Sequence, residues 1–569
     1  MRRIAALLSL VSLTVGGLSA TASGSLANDA SGSPEAIASL PFTRAFLASD
    51  ATTEPGEPQP EGCAAISNSA WFAYTADDTE DVVVTTYGSS ANTTLAVYAD
   101  APGGELLACS DDPADGALIA EASAQIPAGV TAVIQVGTSG TTSGEILLTV
   151  ESLAKPPAAC VGEDCLSFRA YPAPGLLGKG AGELNIGINP KTDAAMVLTL
   201  NRTLRVTWDE EGNDEWRDVT GLLLKDTNDP ILWTDQVTGR TFIAQLRAYV
   251  GSIMGYTDDD GETWQITQPA TVEPSWDHQS VGGGPYPLGF ENPLYDRAMY
   301  YCAQTGLAAN QCARSDNGGL SWGAPLPMQV GACGGLHGHI AVSPRTGAVV
   351  VPHKSCNGRQ GVVVSETAGT TWRTTRLAGT LSSRSDPAVA YDAAGRLYFI
   401  GESGGAPVVA TSDDDGVTWT TPMDLGAAYG IRNTTFSMAV AGDAGRAAVA
   451  WYGTPRGGSD QAGGFAGVWH VYVSVTTDGG ATWTTTDATP TDPIQRGCIW
   501  MGGGGNACRN LLDFQGMDID SQGRVVIAAA DGCVDFVGCA DPHGQPKDSR
   551  HSYTLLLRQD SGPRLRAPS

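Results

Sequence analysis

Basic residues are in short supply. Thirty-three Lys and Arg face 61 Asp and Glu across 569 residues, a formal net charge of −28, and that balance repels a phosphate backbone at long range. Nucleic acid is excluded as a partner. Charged residues of both signs reach only 17% while hydrophobic ones reach 42%, which excludes a disordered polyelectrolyte and allows a packed core. Long apolar runs are missing as well, except at the start, where Met1-Arg2-Arg3 is followed by Ile4 to Leu18 and then small residues ending Ala20-Thr21-Ala22. That is the pattern of a secretory signal. The run is shorter than the roughly 20 residues of a spanning helix, no Cys follows it to carry a lipid, and no later segment is apolar enough to anchor the chain. The expectation is a signal peptide over residues 1–22 and a secreted, extracellular monomer with no membrane span.

Glycine, in contrast, is abundant: 71 residues, about twice the usual share of roughly 7%. Many short strands joined by tight turns fit that better than helices do, so an all-β fold is expected. Export also puts the twelve cysteines in an oxidising compartment. Pairing sequence neighbours gives Cys63–Cys109, Cys160–Cys165, Cys302–Cys312, Cys333–Cys356, Cys498–Cys508 and Cys533–Cys539, although spacing alone does not fix connectivity.

Residues 23–62 are rich in Ala, Ser, Pro, Gly and Glu without periodicity, including Glu54-Pro55-Gly56-Glu57-Pro58, and read as a poorly ordered linker. From 63 to 152 short alternating strands take over, at Trp71 to Tyr74, Val82 to Tyr87, Thr94 to Tyr98, Ala132 to Val136 and Ile146 to Val150. This predicts a small antiparallel β-sandwich. The run Thr93 to Tyr98, then Cys109-Ser110-Asp111-Asp112 and the closing strand up to Val150, resembles the pre-peptidase C-terminal type of domain attached to many secreted bacterial enzymes. The resemblance implies an accessory role in substrate or surface binding, against the plainer alternative of a spacer.

Beyond Lys155-Pro156-Pro157 the chain repeats itself. Five segments share one spacing: Thr257 to Trp264, Ser315 to Trp322, Ser365 to Trp372, Ser412 to Trp419 and Thr476 to Trp483, with a looser copy from Thr207 to Trp216. In each, a short polar side chain is placed to bond back to turn N–H groups, a Gly takes positive φ, and a Trp anchors the turn. These segments resemble Asp-box (BNR) repeats, the hallmark of sialidase-like β-propellers, and the resemblance gives their aspartates a structural rather than catalytic role. A second element, an inner-strand pattern with a Gly-containing turn, recurs seven times, starting at Glu183, Asp229, Asp277, His337, Asp386, Phe436 and Phe514. Residues 166–560 are therefore read as a seven-bladed propeller, with six blades as the alternative if the end units share one.

The units align Glu183, Asp229, His337 and Asp386 at one position, six residues before the turn position of Asn189, Asp235, Ser343 and Asp392. They should ring the face opposite the boxes, the natural mouth for a ligand. The plainer reading of Asp229 and Asp386 is the Asp-Pro pair that commonly opens a strand. Histidine is scarce, seven in all, yet His337 and His339 sit two apart on one strand face and His353 returns on the next strand to the same end, bracketed by Cys333 and Cys356. With Asp277-His278 one unit earlier they form a candidate acid/base group, since imidazole titrates near neutrality and a carboxylate fixes its tautomer. Structural histidines are the alternative. The spacing is not diagnostic of a metal, and neither metal nor cofactor is assigned. Arg384, Arg432 and Arg509 precede the last three inner strands, and three guanidinium groups converging there would suit a carboxylate or sulfate; rim salt bridges are the plainer reading.

The sialidase resemblance implies three arginines on an acidic sugar, a Tyr/Glu nucleophile pair and an Asp acid/base. The match is partial: the family's Phe-Arg-Ile-Pro segment has its closest counterpart in Phe168-Arg169-Ala170-Tyr171-Pro172, and Tyr286 and Tyr452 are hydroxyls near the mouth outside any nucleophile motif. The leading expectation is a secreted sialidase-superfamily glycoside hydrolase on an acidic glycan, with Asp277, His278, His337, His339 or Asp386 transferring protons, and Arg384, Arg432, Arg509, Glu183, Asp229 and His353 binding substrate. Two readings stand beside it: a propeller polysaccharide lyase acting on uronates, and a non-catalytic glycan- or protein-binding propeller.

Overall fold

Short apolar runs broken by Gly, Pro and Asp become strands along the whole chain, and helix is confined to single 3-10 turns among the described residues. The computed structural model describes residues 26–567 apart from 112–118, 223–227, 268–274, 534–551 and several stretches of four residues or fewer. Residues 1–22, expected to be the signal peptide, and Cys539, the expected partner of Cys533, lie outside the described residues. The other five expected disulfides are all present. The chain divides into two units, one ending at Ser152 and one running from Leu153 onward.

The N-terminal unit is a pair of sheets. One orders its strands Glu35–Ile37, Ile66–Thr75, Thr131–Ser139, Thr93–Ala99 and Leu106–Ser110; the other orders Phe42–Leu47, Glu145–Leu153, Glu80–Thr85 and Glu121–Ile126. Alternating apolar residues of both, such as Phe72, Ile134, Val82 and Leu148, make one core. Residues 23–62 depart here from the expected linker. Two strands of the sheets come from this stretch, because Ile37 and Phe46 are buried in that core and the Phe42 and Phe46 rings lie 5.9 and 6.4 Å from Phe72. Three apolar side chains anchoring two short strands suffice to order a segment whose average composition looks like a linker.

The second unit is built from seven consecutive sheets. Each starts with an inner strand: Asn185–Ile188, Asn228–Thr234, Ser275–Pro285, Ala341–Val342, Ala388–Tyr391, Asn433–Ala441 and Gly516–Ile519. Antiparallel neighbours follow in sequence order, four strands to a sheet with one extra pairing in the sixth. The seventh sheet takes its outermost strand, Ser167–Pro172, from the start of the unit and pairs it with Tyr553–Ser561 from the end. Each inner strand packs against the next, and Gly516–Ile519 packs against both Asn433–Ala441 and Asn185–Ile188.

The five repeated turns join the third and fourth strands and share one hydrogen-bond pattern. In the fifth sheet Ser412 Oγ accepts from Gly416 N at 2.8 Å and Asp414 accepts from Thr418 N at 2.8 Å and Thr418 Oγ1 at 2.6 Å, with Gly416 at φ +81. The same bonds recur at Thr257/Asp259, Ser315/Asn317 and Thr476/Asp478, and with Thr367 in the Asp position in the fourth sheet. These carboxylates are spent on their own turns.

Candidate functional site

The inner strands of six sheets, and the segment just before the inner strand of the fourth, line one channel of about 220 Å³. Its walls are mixed: Trp233, Phe436 and Phe514 alternate with His278, His337, His339 and Asp386. The backbone aims several of these groups. His278 and Phe436 both adopt φ +53 at breaks in strand register, between Asp277 and Ser280 and between Thr435 and Met438. A left-handed residue inside a bulge redirects its side chain, here toward the channel.

His278 and Asp386 meet across two sheets. His278 Nδ1 lies 2.6 Å from Asp386 Oδ2 and 2.9 Å from the carbonyl oxygen of His337. Both partners are acceptors, so Nδ1 carries the hydrogen and Nε2 is the basic nitrogen. Asp386 is buried, and Lys354 Nζ stands 3.7 Å from its other oxygen. Burial alone would raise the Asp386 carboxyl, but the facing His278 outweighs it and holds the group well below the usual carboxylate range.

Three further histidines surround this pair. His337 and His353 form a backbone bridge, with rings 5.7 Å apart, and each donates Nδ1–H to a carbonyl, that of Gly338 at 2.9 Å and that of Gly334 at 3.1 Å. Their Nε2 atoms are buried and without a hydrogen-bond partner. Burial pushes His337 down to about 3, with the His353 ring adding to it, and His339 and His353 to about 4. All three are therefore neutral imidazoles at physiological pH. His339 packs edge-on against Phe514 of the seventh sheet, ring centroids 4.8 Å apart. The disulfide Cys333–Cys356 bridges the same two segments that carry His337 and His353. Contrary to the expectation of one strand face, His337 and His339 precede the fourth inner strand, Ala341–Val342, rather than lying within it.

The arginine expectation needs correction. Arg384 is ion-paired to the buried Asp460 and also donates to Asn433 Oδ1 at 3.2 Å. Arg509 grips Asp513 with two bonds of 2.7 Å. Neither guanidinium lines the channel, and nor does Arg432, whose backbone N–H bonds to Thr454. The two tyrosines are also committed. Tyr452 is buried and donates to the Ala530 carbonyl, while Tyr286 donates to Asp316, inside a repeated turn away from the expected mouth. Glu183 is buried at φ +51 beside the first inner strand. Asp229 and Asp277 fall in the second and third inner strands, and their side chains lie outside the described residues.

The structure adds groups that sequence reading did not single out. Lys354 stands beside Asp386, and Asp513 and Phe514 precede the seventh inner strand. Asp518 lies on the channel wall, accepting from Ile188 N at 2.7 Å and Gln236 Nε2 at 3.2 Å; burial raises its carboxyl to about 6. The repeat alignment held a signal for Phe436 and Phe514, which begin their units where the acids and histidines begin theirs. Among the described residues no group of three or more His, Cys, Asp or Glu is placed to hold a metal ion.

No protein-family model matches the chain, and no curated protein matches it. Solved structures that resemble it include sialidases and lectins. The Hadza microbial sialidase Hz136 is 13% identical, covering 86% of this chain and 94% of its own, with a TM-score of 0.32. A leech intramolecular trans-sialidase is 12% identical over 85% and 94% of the two chains, TM-score 0.34. The BP39L lectin from Burkholderia pseudomallei is 12% identical over 62% and 93%, TM-score 0.43. Similarity at these scores carries no weight for function, which has to be read from the channel itself.

Proposed function

We propose that the protein is a secreted glycan-processing enzyme, a glycoside hydrolase whose seven sheets close as the blades of a propeller and whose channel mouth receives a saccharide end. The observation that carries this reading is the buried His278–Asp386 pair at 2.6 Å, set in a channel lined by residues in or just before the inner strand of every sheet. His278 Nε2 takes a proton from the attacking water as its oxygen bonds to the anomeric carbon and the glycosidic C–O bond breaks; the departing oxygen is protonated from solvent, to which the imidazolium returns its proton, and Asp386 holds the ring in its tautomer and stabilises that imidazolium. Trp233, Phe436 and Phe514 supply apolar faces against which a sugar ring stacks. His337 and His339, which line the channel, stay neutral and serve as acceptors, while His353 lies buried outside the lining. Five disulfides and an N-terminal signal pattern fit work outside the cell.

The test is mass spectrometry of a glycan panel incubated with the mature protein and with His278→Ala. Shortened glycans from the wild type, with a loss of about 100-fold or more in the variant, are expected from removal of a proton-transfer group; equal turnover by both would refute the role of His278. A second reading, a glycan-binding propeller without turnover, is favoured by the commitment of Tyr286 and Tyr452 to internal bonds. Unchanged glycans that nonetheless bind would establish that reading instead.

A further inference from the structure

Resting on the glycan reading, the chemistry of the channel wall also speaks to the charge of the ligand. Three carboxylates line the channel, Asp386, Asp513 and Asp518, and among the described residues lining it there is no Lys or Arg. The nearby cations are engaged by the protein's own acids: Lys354 by Asp386, Arg509 by Asp513, Arg384 by Asp460. Three buried polar atoms on the described channel wall have no hydrogen-bond partner: Nε2 of His337, which is 1% exposed, Oδ1 of Asp386, and the Ser437 hydroxyl. The first two are acceptors only, and the hydroxyl can accept as well as donate. Nδ1 of His337 already donates to Gly338, which leaves a lone pair on Nε2, and the Asp386 carboxyl is held ionised by its neighbours.

A wall of this kind asks for donors. Sugar hydroxyls supply them and can satisfy His337 Nε2 and Asp386 Oδ1 together, relieving the cost of burying unpaired acceptors. A carboxylate or sulfate brings acceptors only, and it meets like charge in a confined, partly desolvated space where repulsion is strong. We infer that the channel takes an uncharged saccharide end, selecting it through hydroxyl donors to His337 and Asp386, and that it excludes carboxylate- and sulfate-bearing ends. This runs against the acidic substrate that the repeat resemblance implies.

The experiment is calorimetric titration of the mature wild-type protein with matched pairs of oligosaccharides, each neutral member set against its terminally sialylated or uronate counterpart. The neutral member should bind at least about tenfold more tightly. Equal or tighter binding of the acidic member overturns this inference and leaves the glycan reading standing; binding of neither overturns both. Asp518→Asn, which keeps an acceptor for Ile188 N–H, removes one negative charge from the wall and should narrow the ratio several-fold. An unchanged or widened ratio in that folded variant would contradict the assignment of the discrimination to the channel.

Discussion

A buried imidazole with a carbonyl on one nitrogen and nothing on the other makes a definite statement about protons. His353 is held at about 4 against an ordinary value of about 6.5, so on acidification the unfolded chain takes up its proton first. The folded state then loses stability from this residue as pH falls from about 6.5 to about 4, and the contribution is fully present above that window. His353→Gln lacks this dependence. In thermal scans, the wild-type melting temperature minus that of the variant should be flat above neutrality and shrink as pH drops through the window; a difference that grows on acidification would contradict the neutral, buried state. At this scale the histidines were readable in advance because they are rare and recur at matching positions. Arg384 was misread because its partner, Asp460, comes from a loop whose approach depends on tertiary structure, whereas Arg509 pairs with Asp513 only four residues on. Nothing in the spacing of Arg384 announces an acid 76 residues away.

Between single residues and the whole lie the turns and strand starts. The five repeated turns were legible because the shared bonds that define them span two to four residues, as with Ser412, Asp414, Gly416 and Thr418. The strand starts were less so: the positive φ of His278 and Phe436 follows from bulges that no local composition marks. Likewise the N-terminal strands Glu35–Ile37 and Phe42–Leu47 hide in a Pro- and Gly-rich context and depend on contacts to Phe72 and its neighbours. One glycine ties the site together at this scale. Gly338, between His337 and His339, lies so close to the fifth sheet that a Cβ there would stand 2.1 Å from the carbonyl oxygen of Pro387, the residue after Asp386. A backbone carbonyl cannot yield cheaply, so Gly338→Ala must push the two segments apart. The variant should lose turnover by about tenfold or more, since displacement of a catalytic group by about 1 Å costs up to about 100-fold, while Gly334→Ala, where a Cβ meets nothing within 4 Å, should keep it. Assays of both separate the effect of close approach from that of merely replacing glycine.

Taken whole, the second unit brings its own beginning and end into one sheet, Ser167–Pro172 beside Tyr553–Ser561, and gathers residues in or just before its seven inner strands around a single channel. Such an arrangement lets residues from widely separated sequence positions, 278, 337, 386 and 514, meet within one small space. The repeat made the order of the sheets legible and left their number at six or seven; the chemistry of the space between them was not legible, because it belongs to no unit alone. The central claim is that a saccharide end enters this channel and meets the His278–Asp386 pair. A crystal structure of the mature protein with a bound neutral oligosaccharide tests it most directly. The account predicts a sugar ring in the channel, with a hydroxyl or a water beside the anomeric carbon within hydrogen-bond distance of His278 Nε2; a saccharide seated elsewhere, with the channel vacant, would contradict it.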